Sequence, residues 1–205
     1  MAWCRWVDAG DLVRVIGGEF RSRRLKSLPG LETRPTPDRL RETLFNVIAS
    51  RLAGCVFMDI YAGTGAVGIE ALSRGARGCI FIEKNSRAVE VIHENLATLG
   101  LAGRAEVFTG KAAKVLERAH ADIAFLDPPY ELSKEYEATM NVLERSETPL
   151  VIAQHSSRFK PQEEYGRLRR YRAIKQGDNV LSLYQRQVHE DHNHGHTGEH
   201  EQSLL

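Results

Sequence analysis

Residues 55–68, CVFMDIYAGTGAVG, decide the fold, because a short apolar run passes directly into a glycine-rich turn and then into a new helix. Gly63, Gly65 and Gly68 match the pattern G-x-G-x-x-G. This pattern is typical of the turn between the first strand and the first helix of a nucleotide-binding α/β domain. The sequence therefore predicts a parallel sheet with a ligand-binding turn near its centre.

Apolar runs and helical stretches alternate through the rest of the chain. Continuous apolar runs indicate strands that are covered on both faces, and their alternation with helices predicts a doubly wound sheet. Seven strands are predicted, at residues 55–60, 79–82, 105–108, 123–126, 150–153, 165–174 and 179–185. The predicted helices are residues 67–74, 86–99, 112–118 and 134–144. Gly177-Asp178 predicts a hairpin that adds an antiparallel edge.

The segment before the sheet carries its own signals. Residues 12–16 and 20–25 flank Gly17-Gly18 and predict an N-terminal β-hairpin. A loop over 31–37 follows, with Thr36 as the expected N-cap and Pro37 at the first position of a helix that runs to Leu52. We therefore divide the chain into an extension (1–11), a hairpin, loop and helix (12–53), the sheet domain (54–188) and a His- and acid-rich, disordered tail (189–205).

Composition limits the class of protein. The chain has 205 residues, of which 42% are hydrophobic and 27% charged, as in one globular domain. Cys4, Cys55 and Cys79 are too few for a disulfide framework and are expected to be reduced thiols in the cytoplasm. No apolar run is long enough for a membrane span, and the first residues do not resemble a secretory signal.

The formal net charge of +1 conceals an uneven distribution. Residues 14–41 hold eight bases and three acids, and residues 158–175 hold seven bases and two acids. The tail from His189 carries four acids and no Lys or Arg, so the rest of the chain has a net charge of +5, which is +1 plus 4. Two basic stretches favour a polyanionic partner such as RNA, while two solvated faces are the alternative.

Acidic residues around the glycine turn narrow the choice of ligand. Glu83 lies twenty residues after Gly63, at the end of the next strand, where a carboxylate can accept hydrogen bonds from the ribose hydroxyls of an adenosine cofactor. Asp59 lies four residues before Gly63 and would repel a pyrophosphate. It favours the cationic groups of S-adenosylmethionine, although a nicotinamide or flavin enzyme stays open at this point.

The stretch Asp127-Pro128-Pro129-Tyr130 ends the fourth predicted strand and is expected beside the glycine turn. An amino group conjugated to a ring is a poor nucleophile. The Asp127 carboxylate and the Pro128 carbonyl could accept its two N–H bonds and direct its lone pair at a methyl donor, while Tyr130 stacks on the base. The two turns together predict methyl transfer to such a nitrogen.

The combination resembles the amino-methyltransferases that use S-adenosylmethionine, whose signature is [D/N/S]-P-P-[Y/F/W]. The N-terminal strings RVIGG (14–18), RRL (23–25), TRPT (33–36) and DRLRETLFN (38–46) resemble the opening of the 16S ribosomal RNA guanine-N2 methyltransferase family, and the likeness extends to about Gln185. It implies a Rossmann-like class I methyltransferase, with a seven-stranded, mostly parallel sheet and helices on both faces. It also implies methylation of guanine N2 in 16S rRNA, free or within the 30S particle, by a monomer.

The resemblance assigns residues to three groups and requires no metal. The catalytic group is Asp127, Pro128, Pro129 and Tyr130. The cofactor group is Asp59, Tyr61, Ala62, Gly63, Gly65, Glu83, Lys84, Lys111 and Ala112. The RNA-binding group is Arg21, Arg23, Arg24, Arg34, Thr36 and Arg39.

The chain departs from the family pattern at two positions. Ser22 replaces a usual glycine, which alters the expected hairpin, and Lys111 replaces an Asp or Asn near the adenine of the cofactor. An ammonium cannot accept the adenine amino proton, so that contact is expected from the backbone of Ala112. An N6-adenine methyltransferase and an rRNA-binding assembly factor without catalytic activity are the alternative functions.

Overall fold

The computed structural model describes residues 13–28, 37–129 and 133–187. The extension at 1–11, the tail at 189–205, and Arg34, Thr36 and Tyr130 lie outside these residues. The strands are β1 (Val56–Ile60), β2 (Gly78–Glu83), β3 (Ala105–Thr109), β4 (Ile123–Leu126), β5 (Leu150–Ser156), β6 (Glu164–Tyr165), β7 (Leu168–Gln176) and β8 (Asn179–Arg186). The α-helices are α1 (Asp38–Val47), α2 (Ala49–Leu52), α3 (Ala66–Ser73), α4 (Ser86–Thr98), α5 (Ala112–Leu116) and α6 (Ser133–Leu143).

All eight strands form one sheet in the order β3-β2-β1-β4-β5-β8-β7-β6. Strands β1 to β5 are parallel, whereas β8, β7 and β6 are joined by antiparallel pairing. The inner parallel strands β1, β2, β4 and β5 are largely buried, as their continuous apolar runs predict. The prediction of cover on both faces is wrong for β3, which is the edge strand and has no buried residue. Because the chain order reverses between β1 and β4, a crevice for a ligand is expected outside their carboxyl ends.

Helices cover both faces of the sheet. The apolar side chains of α1 to α4 pack on one face with Phe57, Phe81 and Phe125, and those of α5 and α6 pack on the other with Met58, Ile60 and Leu126. This arrangement confirms the doubly wound α/β prediction. Within the described residues, no helix has both the length and the apolar composition needed to cross a membrane.

The predicted single strand at 165–174 is wrong at its start. Gly166 adopts a left-handed φ of 51°, and Tyr165 pairs with Leu168 across a two-residue turn. The stretch is therefore split into β6 and β7, and the sheet has eight strands instead of seven. The predicted hairpin at Gly177-Asp178 is confirmed, since Gln176 pairs with Asn179.

The N-terminal hairpin forms, but its turn is longer than the two glycines suggest. Arg14 pairs with Arg24 in an antiparallel bridge, and the turn covers residues 17–22. In the helix that follows, Pro37 occupies the N-cap instead of the first helical position, and Ile48 separates α1 from α2. The expected single helix is therefore two helices that begin one residue later.

Candidate active site

The site is built where β1, β2 and β4 end side by side. Ile60 is paired in register with both Ile82 and Leu126. The residues that leave the sheet next are Tyr61 at the start of the glycine turn and Asp127 of the proline-rich loop. The backbone N–H of Asp127 still donates to the carbonyl of Ile60, at 3.4 Å. The two turns predicted to act together are therefore neighbours at one edge.

Glu83 organises the glycine turn from the end of β2. One of its carboxylate oxygens accepts the N–H of Gly63 and the other accepts the N–H of Asn85, both at 2.8 Å. A Cβ added to Gly63 would meet no atom within 4 Å, so the space over this residue is open. Glu83 thus holds the backbone of the turn, while the space beside Gly63 is free for a ligand.

Gly68 has a different role from the turn glycines. A Cβ on it would lie 2.3 Å from Cε1 of Phe81 and 2.7 Å from Sγ of Cys79. Glycine is required here because α3 packs directly against β2, which is the role of the third glycine in the G-x-G-x-x-G pattern.

Asp59 lies underneath the turn. Its side chain is 2% exposed, and its carboxylate accepts the N–H of Gly68 in the first turn of α3 at 2.8 Å. Burial raises the pKa of Asp59 to about 7, the hydrogen bond from Gly68 opposes this shift, and the negative charge of Glu83 adds to it. The two carboxylates lie close enough to interact and make the turn favourable for a cation.

A cavity of about 190 Å³ opens beside the turn. Four of the residues predicted to bind the cofactor line it, namely Tyr61, Lys84, Lys111 and Ala112. The other lining residues are Ile82, Gly110, Ala113, Glu135, Ala138 and Thr139. Lys84 forms an ion pair with Glu135 of α6 at 3.5 Å. The cavity lies between the ends of β2 and β3 and the first half of α6.

Tyr61 has an unusual backbone. Its φ is 68°, in the left-handed region that favours glycine. Its phenol makes a 2.6 Å hydrogen bond with the hydroxyl of Thr139 and donates to the carbonyl of Glu135 at 3.4 Å. Burial raises the pKa of this phenol. The strained start of the glycine turn is therefore anchored on α6, the helix that follows the proline-rich loop.

The proline-rich loop is described through Pro129. Asp127 is half-buried, Pro128 is buried and Pro129 is exposed. Strand β4 ends at Leu126, so these residues leave the sheet on the side of the glycine turn. Pro128 and Pro129 have no N–H to donate, so their backbone offers only carbonyl oxygens as hydrogen-bond acceptors.

Comparison with known proteins identifies the family. Residues 13–185 match the family model described as conserved hypothetical protein 95. The chain belongs to this family. "Putative rRNA methyltransferase YlbH" of Bacillus subtilis is 33% identical over 183 residues, which are 85% of this chain and 99% of that protein. "Ribosomal RNA small subunit methyltransferase D" of Escherichia coli is 43% identical over 136 residues, which are 64% of this chain and 67% of that protein.

A solved structure supports the same grouping. "Putative methyltransferase yhhF from Escherichia coli" is 32% identical, with a TM-score of 0.77 over 87% of this chain and 99% of that chain. The fold prediction of a class I methyltransferase is thereby confirmed, and the family resemblance drawn from the N-terminal strings is confirmed as well.

The site of this family member fits the methyl donor S-adenosylmethionine on chemical grounds. An open glycine turn, a carboxylate at the end of β2 and an apolar cavity beside Ile82 and Ala112 are the parts that an adenosine moiety requires. The buried acid Asp59 supplies negative charge for a cationic sulfonium. Lys111 lines the cavity and is exposed, so the backbone at Ala112 remains available to the adenine.

The predicted RNA-binding residues are distributed over two places. Arg21, Arg23 and Arg24 are exposed on the hairpin, and Arg39 is exposed on α1. The tip of the hairpin docks on the C-terminal end of α3, where Ser73 Oγ accepts the N–H of Phe20 at 3.0 Å and donates to the carbonyl of Gly17 at 2.6 Å. Because α3 runs away from the glycine turn, this tip lies away from Asp127.

The sequence did not reveal the residues that join the hairpin to the site. Glu70 is fully buried and accepts the N–H groups of Ile16 and Gly17 at 2.7 and 2.8 Å. Asn95 bonds both backbone groups of Lys26 and also the carbonyl of Thr64 in the glycine turn. A polar residue within the apolar stripe of a predicted helix is the signal that could have identified Asn95.

Proposed function

We propose that this protein transfers a methyl group from S-adenosylmethionine to the exocyclic N2 of a guanine in small-subunit ribosomal RNA. One observation carries the proposal: Ile60 and Leu126 are paired in register, so the glycine turn and the Asp127-Pro128 loop leave the sheet side by side. The named relatives in Escherichia coli and Bacillus subtilis support rRNA as the substrate. Cytoplasmic location and the 30S particle as the target belong to the same proposal.

Each cofactor residue has a distinct part in this proposal. Glu83 binds the ribose hydroxyls, and the open backbone at Gly63 lets the donor approach, while Tyr61, Ala62 and Gly65 shape the turn around it. Asp59 compensates the positive charge from beneath the turn. Lys84, Lys111 and Ala112 border the adenine. When bound, S-adenosylmethionine supplies an electrophilic methyl carbon on a positively charged sulfur.

The acceptor loop acts on the nitrogen of the base. Asp127 and the carbonyl of Pro128 accept the two N–H bonds of the guanine amino group, which withdraws its lone pair from the ring and directs it at the methyl carbon. After transfer, the nitrogen carries a surplus proton, and the carboxylate of Asp127 is the base placed to accept it. Tyr130 stacks on the guanine, which has to be extruded from any helix to reach this point.

The test is methylation of 30S particles and of naked 16S rRNA that lack the modification, with tritiated donor and nucleoside mass spectrometry. The expected product is N2-methylguanosine. Asp127→Asn should abolish transfer while the affinity for S-adenosylhomocysteine stays within about twofold. Asp122→Asn is the matched control, because Asp122 lies at the other end of β4, where it accepts the N–H of Val56.

The outcome separates the alternatives. Incorporation into duplex DNA and not into rRNA would indicate an adenine methyltransferase. RNA binding without transfer at saturating donor would indicate an assembly factor. Thermal stabilisation by NAD and not by S-adenosylmethionine would indicate a nicotinamide enzyme.

A further inference from the structure

The turn between β7 and β8 lies at the same edge of the sheet as the active site. β5 runs parallel to β4 and ends at Ser156, which pairs with Asn179 directly after this turn. β7 is three strands from β4, and adjacent strands are separated by about 4.8 Å, so the two strands are roughly 14 Å apart. That distance corresponds to a few nucleotides of an RNA strand.

Basic side chains lie along β7 and beside this turn. Arg172 and Lys175 are exposed on β7. The N–H of Ser157 donates to the carbonyl of Asp178 in the turn at 2.8 Å, which brings the exposed Arg158 and Lys160 alongside. We name Arg158, Lys160, Tyr171, Arg172 and Lys175 the β7 basic surface.

The bases of this surface differ from Arg169 and Arg170 of the same strand in their ion pairing. Arg169 forms an ion pair with Glu164, and Arg170 with Glu163. Across the described part of the chain, Arg158, Lys160, Arg172 and Lys175 form no salt bridge. Asp178 is the acid at the turn. The surface therefore keeps a net positive charge that is available to phosphates.

Tyr171 adds an aromatic ring among these charges. The pairing register of β7 and β8 shifts between Arg170 and Arg172, so Tyr171 lies in a bulge. It is 51% exposed, and a bulge is a feature that re-aims a side chain. An exposed ring between basic side chains is the combination that binds single-stranded nucleic acid, through stacking and phosphate contacts.

We infer that the β7 basic surface is a second RNA-contact surface, which holds the single-stranded nucleotides next to the target guanine. The inference rests on the proposed function. The hairpin tip with Arg21 and Arg23 lies at the far end of α3, so its contacts are with more distant RNA. The β7 basic surface binds the flanking segment along this edge strand, with Tyr171 stacked on an unpaired base. Arg172 and Lys175 lie on opposite faces of the strand and contact phosphates on either side of it.

A second interpretation explains the charges without RNA. From Tyr171 to Gln176, β7 has no partner on its outer side among the described strands, and Lys or Arg on such an edge prevents pairing with another chain. This interpretation assigns no role to the exposed Tyr171. It predicts that removal of the charges promotes self-association and leaves RNA affinity unchanged.

The experiment compares two double variants with equal loss of charge. Arg172→Ala with Lys175→Ala alters the β7 basic surface, and Arg77→Ala with Arg118→Ala alters exposed bases at the opposite edge of the sheet. Dissociation constants for full-length 16S rRNA are measured by filter binding over a salt series, with saturating S-adenosylhomocysteine. Sedimentation velocity reports the oligomeric state of each variant.

The β7 double variant is expected to weaken RNA binding about tenfold or more and to reduce the slope of log K against log salt by about 1.5, whereas the control changes neither. Tyr171→Ala should weaken binding about fivefold, and Tyr171→Phe should restore it. Equal affinity of both double variants, or self-association as the only change, overturns the inference. If the wild-type chain transfers no methyl group to rRNA, the proposed function fails instead.

Discussion

Asn95 of α4 donates a hydrogen bond to the carbonyl oxygen of Thr64, with 3.1 Å between the two heavy atoms. The same side chain holds both backbone groups of Lys26 at the end of the hairpin. Asn95 is 2% exposed and its hydrogen bonds to Lys26 and Thr64 are partly buried, so water replaces them only incompletely. One amide thus joins the basic N-terminal segment to the turn that faces the cofactor.

Asn95→Ala is expected to lower the free energy of unfolding by about 2–3 kcal/mol, because it leaves buried backbone groups unpaired. It should also weaken binding of S-adenosylhomocysteine, since Thr64 loses its support. Urea denaturation and calorimetry measure both effects. Glu94→Ala is the matched control: its exposed ion pair with Lys26 contributes at most about 0.5 kcal/mol. Equal effects of the two substitutions would contradict the role of Asn95.

Ser22 has a φ of 68° in the hairpin turn, a left-handed conformation that suits the glycine expected here from the family resemblance. Glycine adopts this conformation without strain, whereas a residue with a Cβ does so at a cost of roughly 1 kcal/mol. Ser22→Gly should therefore stabilise the protein by about 0.5–1 kcal/mol in urea denaturation. Ser22→Ala keeps the strained geometry, and a comparable gain with alanine would rule out the explanation.

Asp59 is expected to make cofactor binding depend on pH. Its folded-state pKa of about 7 lies above the unfolded value of about 3.9. Burial of this group therefore lowers stability progressively as pH rises from about 4 to 7. A bound sulfonium favours the ionised carboxylate, so the affinity for S-adenosylmethionine should rise up to about tenfold between pH 6 and 8.

The neutral thioether of S-adenosylhomocysteine provides the comparison. The ratio of the affinity for S-adenosylmethionine to the affinity for S-adenosylhomocysteine, measured by calorimetry, should increase as pH rises through 7 in the wild-type protein. The same ratio should not change with pH in Asp59→Asn. That substitution keeps an oxygen for the N–H of Gly68. A flat ratio in the wild-type protein would remove Asp59 from the binding of the cation.

Thr139 is expected to support the cofactor cavity through Tyr61. Thr139→Val preserves shape but removes the 2.6 Å hydrogen bond, worth about 1 kcal/mol, that holds the left-handed start of the glycine turn. The KM for S-adenosylmethionine should rise about fivefold, with kcat for a saturated enzyme almost unchanged. Thr139→Ser retains the hydroxyl and should behave as wild type; a loss of similar size in both variants would indicate a packing effect.

Local patterns predicted most of the central sheet. Continuous apolar runs located the starts of β1, β2, β4 and β5 within one residue, because strands covered on both faces have few polar residues. The start of β3 was located as well, although this edge strand has no buried residue. The same reasoning failed at Gly166, where one left-handed residue divides a β-rich stretch. Glycine tolerates a strand and a turn alike, so its conformation there depends on the pairing of Tyr165 with Leu168.

The glycine turn and the proline-rich loop were predictable because each is a short, continuous motif. The long-range contacts of Glu70 and Asn95 were not, since they join residues 31 to 69 positions apart in the sequence. The position of the hairpin tip beside Ser73 likewise depends on tertiary packing, which periodicity does not encode. Sequence alone therefore located the two turns better than it located the surfaces that surround them.

The dependence of the hairpin on Glu70 has a consequence for biosynthesis. Ile16 and Gly17 leave the ribosome early, but the carboxylate that accepts their N–H groups is synthesised more than fifty residues later. The first segment of the polypeptide can therefore mature only after β1 and α3 have emerged and packed. A nascent chain thus acquires its ordered basic arm together with the catalytic half, and not before it.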